Sequence, residues 1–407
     1  MTSDRSSLCG SSLSRRLCLT GAALACLPGA WAQNLPTPAG STPLTPQDFA
    51  AVASHYGALV WATYSDTQSA AHTLREAVQA FTAQPSADRL AHARQAWRAA
   101  REFYGLTEAF RFYGGPIDDA QGLEGRINGW PMDESYVDSV AGRPQAGLVN
   151  QRRFVITARH LIAQNERGGE ENIATGWHAV EFFLWGQDRS DTRPGERSFE
   201  DFVDGKAPNA DRRRLYLSVV TQLLADDLGR LVKAWAPQTA GNYRARFARG
   251  GRESVRKMLV GLGSLSRGEL AGERLEVALA SQDQEDEHSC FSDNTHRDVV
   301  ANALGIQNVW LGRYTRAQGQ VLSGPSLHSL VAQHDPALAE RIRAQIAHSV
   351  QAAEAIQAPF DQEIRGDEHA PGRQRVRATI TSLIQQSQDL AAAAQALGIT
   401  RLTLVKP

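Results

Sequence analysis

Apolar residues recur along this chain at intervals of three and four, and almost nowhere at intervals of two. Thr45, Pro46 and Asp48 give an N-cap, a first-turn proline and a first-turn acid, which together open a helix. Phe49, Val52, Tyr56, Leu59 and Val60 follow on one face, and Pro85 stops the helix after about Gln84. Ser86 caps a second helix carrying Leu90, Trp97, Ala100 and Tyr104, which ends by Gly114-Gly115-Pro116. Residues 115–146 carry the Gly, Pro and Asp of a loop. A third helix is expected over 148–165 and a fourth over 173–185, closed by Gly186. Beyond a polar link at 187–210, helices are expected at 211–235, 242–262, 269–281, 298–319, 336–357 and 371–397. Convincing strand alternation is absent, and Ala, Leu, Arg and Gln, all good helix formers, dominate. The pattern predicts an all-α fold of two helical-bundle domains, 45–200 and 201–407, joined by the polar link.

The residues before Thr45 follow another logic. Arg15-Arg16, an apolar run from Leu17 to Leu27 and Ala30-Trp31-Ala32 compose a signal peptide over 1–32. The twin arginine fits a Tat signal as well as a Sec one. A Pro/Thr/Gly-rich stretch, 33–44, reads as a flexible lead-in. The protein is therefore expected to be exported, periplasmic or envelope-associated, with no transmembrane anchor left in the mature chain. Loss of the signal takes the net charge from −1 to −3, which argues against nucleic acid as a partner. It also leaves Cys290 alone, so neither an intramolecular disulfide nor a Cys₄ zinc site is available.

The densest chemistry lies in Gly176-Trp177-His178-Ala179-Val180-Glu181. His178 and Glu181 stand three apart on a helix that is apolar nearly all round, so both are expected inside the protein or at a domain seam. Buried polar groups need partners. Gly176 allows a backbone or a ligand to come close. The spacing alone leaves two readings open, a structural His–Glu pair and a metal or ligand site. No H-E-x-x-H occurs, Phe182 breaks the inverted H-x-x-E-H, and only Glu285 to His288 has E-x-x-H spacing. A bound metal would need a mixed His/carboxylate shell, which suits iron, manganese or zinc.

Two other stretches are candidates. Glu108 and Arg111 are three apart at the end of the second helix, with Asp118 just beyond. Residues 283–296 crowd five acids and two histidines into fourteen positions, among them Glu287, His288 and Asp293. A solvated helix-end pair and a solvated loop are the plain alternatives.

These pieces resemble the imelysin family of exported bacterial proteins. Gly176-x-His178-x-x-Glu181 is similar to that family's G-x-H-x-x-E motif. Thr107-Glu108-Ala109-Phe110-Arg111-Phe112, Gly115-Pro116-Ile117-Asp118, Asn128-Gly129-Trp130-Pro131 and Phe291-Ser292-Asp293-Asn294-Thr295 support it in order, over about residues 45–400. The resemblance implies two four-helix-bundle-like domains with a pocket at or near their interface. It implies His178 and Glu181 as metal or site residues, with Glu108, Arg111 and Asp118 as neighbours. It also implies a divalent metal cofactor or cargo, with iron favoured and zinc or manganese as alternatives, and envelope uptake partners. Three functions follow: an iron-binding component of uptake or homeostasis, a zinc metallopeptidase of imelysin type, or a non-catalytic helical scaffold.

Overall fold

In the computed structural model, residues 43–400 are described. The signal peptide and nearly all of the lead-in lie outside the described residues. Helix α1, Pro46–Ala83, starts on a Thr45/Asp48 capping box. Ser86 caps α2, Ala87–Thr107, which tightens into a 3₁₀ turn, Glu108–Phe110. Helix α3, Gly176–Trp185, carries the motif, and α4 spans Ala210–Ala234. Helices α2 and α4 pack along α1, and α3 packs against both α2 and α4. These four helices form one group.

The second group comprises four more helices. Helix α5 begins at Arg252–Ser264 and continues through a π-helical stretch, Leu265–Glu276, into Val277–Ser281. Helices α6, α7 and α8 span Thr295–Leu311, Pro336–Glu354 and Pro371–Ala396. Helix α8 packs on α5 and α7, and α6 packs on α7. Helix α6 also packs on α2, so the groups share a core within one compact unit. Helix α4 packs on α1, and so does the short helix that follows it, Tyr243–Arg249. The polar link at 187–210 lies inside that group, not between the two. Among the described residues, no helix is long and apolar enough to cross a membrane.

Among the described residues the fold is all-α except for one hairpin, and it departs from the sequence expectation at several places. The expected helix at 148–165 exists only as Ala158–Gln164. Arg212 occupies the carbonyls of Leu148, Val149, Gln151 and Phe154, groups that a helix would use internally. The helix expected to run to residue 319 stops at Leu311, where Gly312 adopts φ 60°. Strands β1, Arg313–Thr315, and β2, Val321–Ser323, then pair antiparallel. Asp66 of α1 anchors the hairpin, accepting from the Tyr314 hydroxyl at 2.8 Å and from the Arg316 guanidinium at 2.7 Å. Third, the gap expected between 262 and 269 is bridged by the π-helical stretch. A short helix, Leu327–His334, also lies where the sequence pattern predicts none.

Candidate functional site

The motif helix begins at a point that only glycine satisfies. Gly176 has φ 87°, and a Cβ there would stand 2.5 Å from the Ile127 carbonyl oxygen and 2.8 Å from that of Arg126. The segment carrying Asn128 and Trp130 is thereby pressed against the start of α3. Every residue of α3 is buried, which leaves His178 and Glu181 to find partners inside the protein.

They find each other first. His178 Nδ1 and Glu181 Oε2 are 2.9 Å apart. The other carboxylate oxygen, Oε1, accepts from the Ser292 amide at 3.0 Å and the Ser292 hydroxyl at 2.6 Å. His178 Nε2 is buried and makes no hydrogen bond. The His288 ring stands edge-on to the His178 ring, with centroids 4.9 Å apart. Asn128 Nδ2 lies 3.4 Å from His288 Nε2. His288 Nδ1 faces Asp298 Oδ2 at 3.4 Å and the Arg101 guanidinium at 3.5 Å. Arg101 grips Asp298 with two nitrogens, at 2.9 and 3.2 Å, and reaches Asn128 Oδ1 at 2.6 Å. Ser289 Oγ adds a bond to Asp298 at 2.5 Å.

Charge is distributed unevenly over this cluster. Burial pushes both imidazoles down, His178 well below its ordinary value and His288 to about 3, with nearby arginine charge adding to it. Both are neutral at pH 7. Burial pushes Glu181 up to about 8, despite the Ser292 bonds, because no cation pairs with it. Burial opposes ionisation of Asp298 too, but the Arg101 guanidinium outweighs it and holds that carboxylate far below the ordinary range.

A cleft of about 440 Å³ opens beside His288. Glu124, Glu166, Glu170, Glu269 and Glu273 line it against only two arginines, Arg111 and Arg274. Glu108 lies buried behind, accepting from Arg111 Nη1 at 2.6 Å and Arg274 Nη2 at 2.7 Å. Burial raises its pKa, but the Arg111 and Arg274 guanidinium groups lower it by more, so Glu108 stays ionised well below the ordinary carboxylate range. The π-helical stretch delivers Glu269, Glu273 and Arg274 to the cleft.

The sequence candidates therefore fall into three places. His178, Glu181 and His288 come together at the centre. Glu108 and Arg111 form part of the ionic wall beside them. Asp118 is elsewhere, with its carboxylate spent on the amides of Phe112, Tyr113 and Gly115, which makes it a loop brace. Glu287 and Asp293 join a separate carboxylate group described below. The sequence alone does not mark Arg101, Asn128, Asp298, Ser292 and Arg274 as site residues. Asn128 and Ser292 sit in blocks quoted for the family resemblance, but Arg101 and Arg274 read as ordinary helix arginines until their acids are placed.

A mostly helical protein with a buried histidine pair beside an acid-lined cleft is thus defined. Its sequence matches the Imelysin family model over residues 60–390, and the chain belongs to that family. It is similar to iron-regulated protein A of Synechococcus elongatus, 28% identical over 310 residues, covering 74% of this chain and 73% of the relative. It also resembles a solved structure from Parabacteroides distasonis described as an iron-regulated protein A precursor. That match has a TM-score of 0.66 at 21% identity and covers 89% of this chain and 98% of the other. At that identity the likeness carries the fold.

Proposed function

We propose that this protein is exported to the periplasm or envelope and handles a divalent metal, iron before zinc or manganese, at His178 beside the acid-lined cleft. The observation that carries the reading is His178 Nε2, a buried ring nitrogen with no hydrogen-bond partner. The opposite nitrogen is tied to Glu181, an arrangement that fixes the ring and leaves Nε2 as the donor atom. Metal-binding imidazole must be neutral, and burial keeps both His178 and His288 so. Glu181 stands next to the ring, and a bound cation would favour its ionised form. Five glutamates against two arginines would concentrate cations at the cleft. The Synechococcus relative is named for regulation by iron, which supports iron as the ion concerned.

The zinc-peptidase alternative has less behind it. Catalytic zinc takes three protein ligands and a water. Among the described residues, no three-ligand His/Cys/Asp/Glu set forms around His178. A site with few ligands suits a cargo that must also be released.

Metal analysis of protein purified after export tests the proposal, with wild type beside His178→Ala. Wild type is expected to retain iron and the variant to lose it. Equally low iron, manganese and zinc in both would sink the metal reading. A lowered melting temperature in His178→Ala, with no metal stabilising wild type, would mark the pair as structural. Chelator-sensitive peptide cleavage, lost in Glu181→Gln, would revive the peptidase.

A further inference from the structure

A second group of acids lies apart from the histidine pair. Asp188 follows the motif helix, Asp293 sits in the loop before α6, and Asp361 opens the short helix Asp361–Ile364. One carboxylate oxygen from each falls within 4.8 Å of the other two. A single ion bonded at about 2.4 Å spans that distance, since calcium–oxygen bonds run about 2.3–2.6 Å.

Acidic clusters are common, and proximity alone is weak. What sets this one apart is how few donors reach it; the Ser190 amide, 2.9 Å from Asp188 Oδ1, is one of them. Asp361 is 1% exposed, yet neither of its carboxylate oxygens accepts a hydrogen bond. Asp188 Oδ2 and Asp293 Oδ1 are likewise buried without one. A fourth carboxylate, Glu287, is also 1% exposed and has no hydrogen-bonded oxygen of normal geometry; its carboxyl faces that of Asp361. No arginine, lysine or histidine forms an ion pair with any of the four among the described residues, although Arg98 and Arg365 lie close enough to be felt. Buried carboxylates normally recruit amides or guanidinium groups. Asp138 shows the usual solution in this same protein, gripped by Arg197 and Arg213.

We propose that Asp188, Asp293, Asp361 and Glu287 bind one hard, oxygen-preferring divalent cation of calcium's kind, at a place distinct from the His178 site. The donor set is all oxygen, which selects calcium, magnesium or manganese over softer ions. Three separate segments supply four carboxylates, and such a shell can add carbonyls and water to reach the six to eight ligands typical of calcium. Magnesium, which needs near-ideal octahedral geometry and dehydrates reluctantly, fits a set gathered from three loops less well. Entry is open on two sides. Asp188 lines one surface cleft and Asp293 another, and Pro194 borders both. Without a cation the group must hold protons. Burial and mutual repulsion push Asp188 up to about 6 and Asp293 up to about 8, and burial raises Asp361 and Glu287 as well.

The test is calcium titration of the full mature protein after chelator treatment, followed by calorimetry and by melting temperature at pH 7.5. Wild type is expected to take up one calcium ion per chain and to melt higher with it. Asp361→Asn and Asp293→Asn are expected to fold, since each removes a repulsive charge, and to lose both effects. His178→Ala is expected to keep them, which separates this site from the one above. No calcium uptake by wild type, or equal uptake by both Asn variants, would overturn the proposal. So would a stabilisation by zinc alone that disappears in His178→Ala.

Discussion

His178 owes its chemistry to what holds its other nitrogen. With Nδ1 bound to Glu181, the ring presents a single fixed donor atom. The carboxylate in turn is fixed by Ser292. In metal-free protein this chain of contacts has a definite pH signature. Glu181 has a folded value raised to about 8, so the stability it contributes is fully present below its unfolded value and is lost as pH rises through about 8. His178 and His288 have lowered folded values, so they cost stability as pH falls below the ordinary histidine value, near 6.5. Melting temperature of the metal-free protein should therefore decline on both sides of about pH 6.5. Glu181→Gln should flatten the alkaline side, an effect on the order of 4 kcal/mol at pH 8. An unchanged profile in that variant would show that Glu181 titrates normally. Gly176→Ala combines a left-handed backbone with a clash against two carbonyls, and should cost roughly 2–4 kcal/mol in urea unfolding.

Elements place these residues, and here the sequence was informative unevenly. The starts of α1 and α2 were readable because Thr45-Pro46 and Ser86 act on their own first turns. The starts of α7 and α8 follow from Pro336 and Pro371 in the same way. The burial of α3 was readable from its apolar composition alone. The hairpin was not, because its anchor, Asp66, lies 248 positions from Tyr314. The same holds at the site. His178 and Glu181 share one helical turn, whereas Arg101 and Asp298 are 197 positions apart on α2 and α6. Their pairing joins those helices beneath His288. Asp298→Asn should leave the Arg101 guanidinium buried and uncompensated, at about 3–5 kcal/mol in denaturant unfolding. A loss below about 1 kcal/mol would mean that water or another acid serves Arg101 instead.

At the scale of the whole molecule, a modest net charge conceals local asymmetry. The acid-lined cleft and the four-carboxylate group are both negative regions in a chain whose formal charge is only −1. Glu166, Glu170 and Glu273 line the cleft and are exposed. Replacing all three with Gln should leave melting temperature within about 1 °C, since exposed charges contribute little to stability. Stopped-flow metal binding should slow and lose most of its dependence on ionic strength. An unaltered rate would mean that the ion enters elsewhere.

Ser292 and Asp293 are consecutive residues, yet they serve different neighbourhoods. Ser292 donates twice to Glu181, while Asp293, held at φ 54°, turns its carboxylate toward Asp188 and Asp361. One peptide unit thus acts as a lever between a proton-holding acid and a cation-seeking one. Any displacement of that unit is felt at both ends, and thermodynamic reciprocity then applies. Calcium should move the pH at which Glu181 ionises, calcium affinity should change across that pH by the same free energy, and Glu181→Gln should abolish that pH dependence. Identical calcium affinities in the two proteins across pH 6–9 would show the lever to be slack.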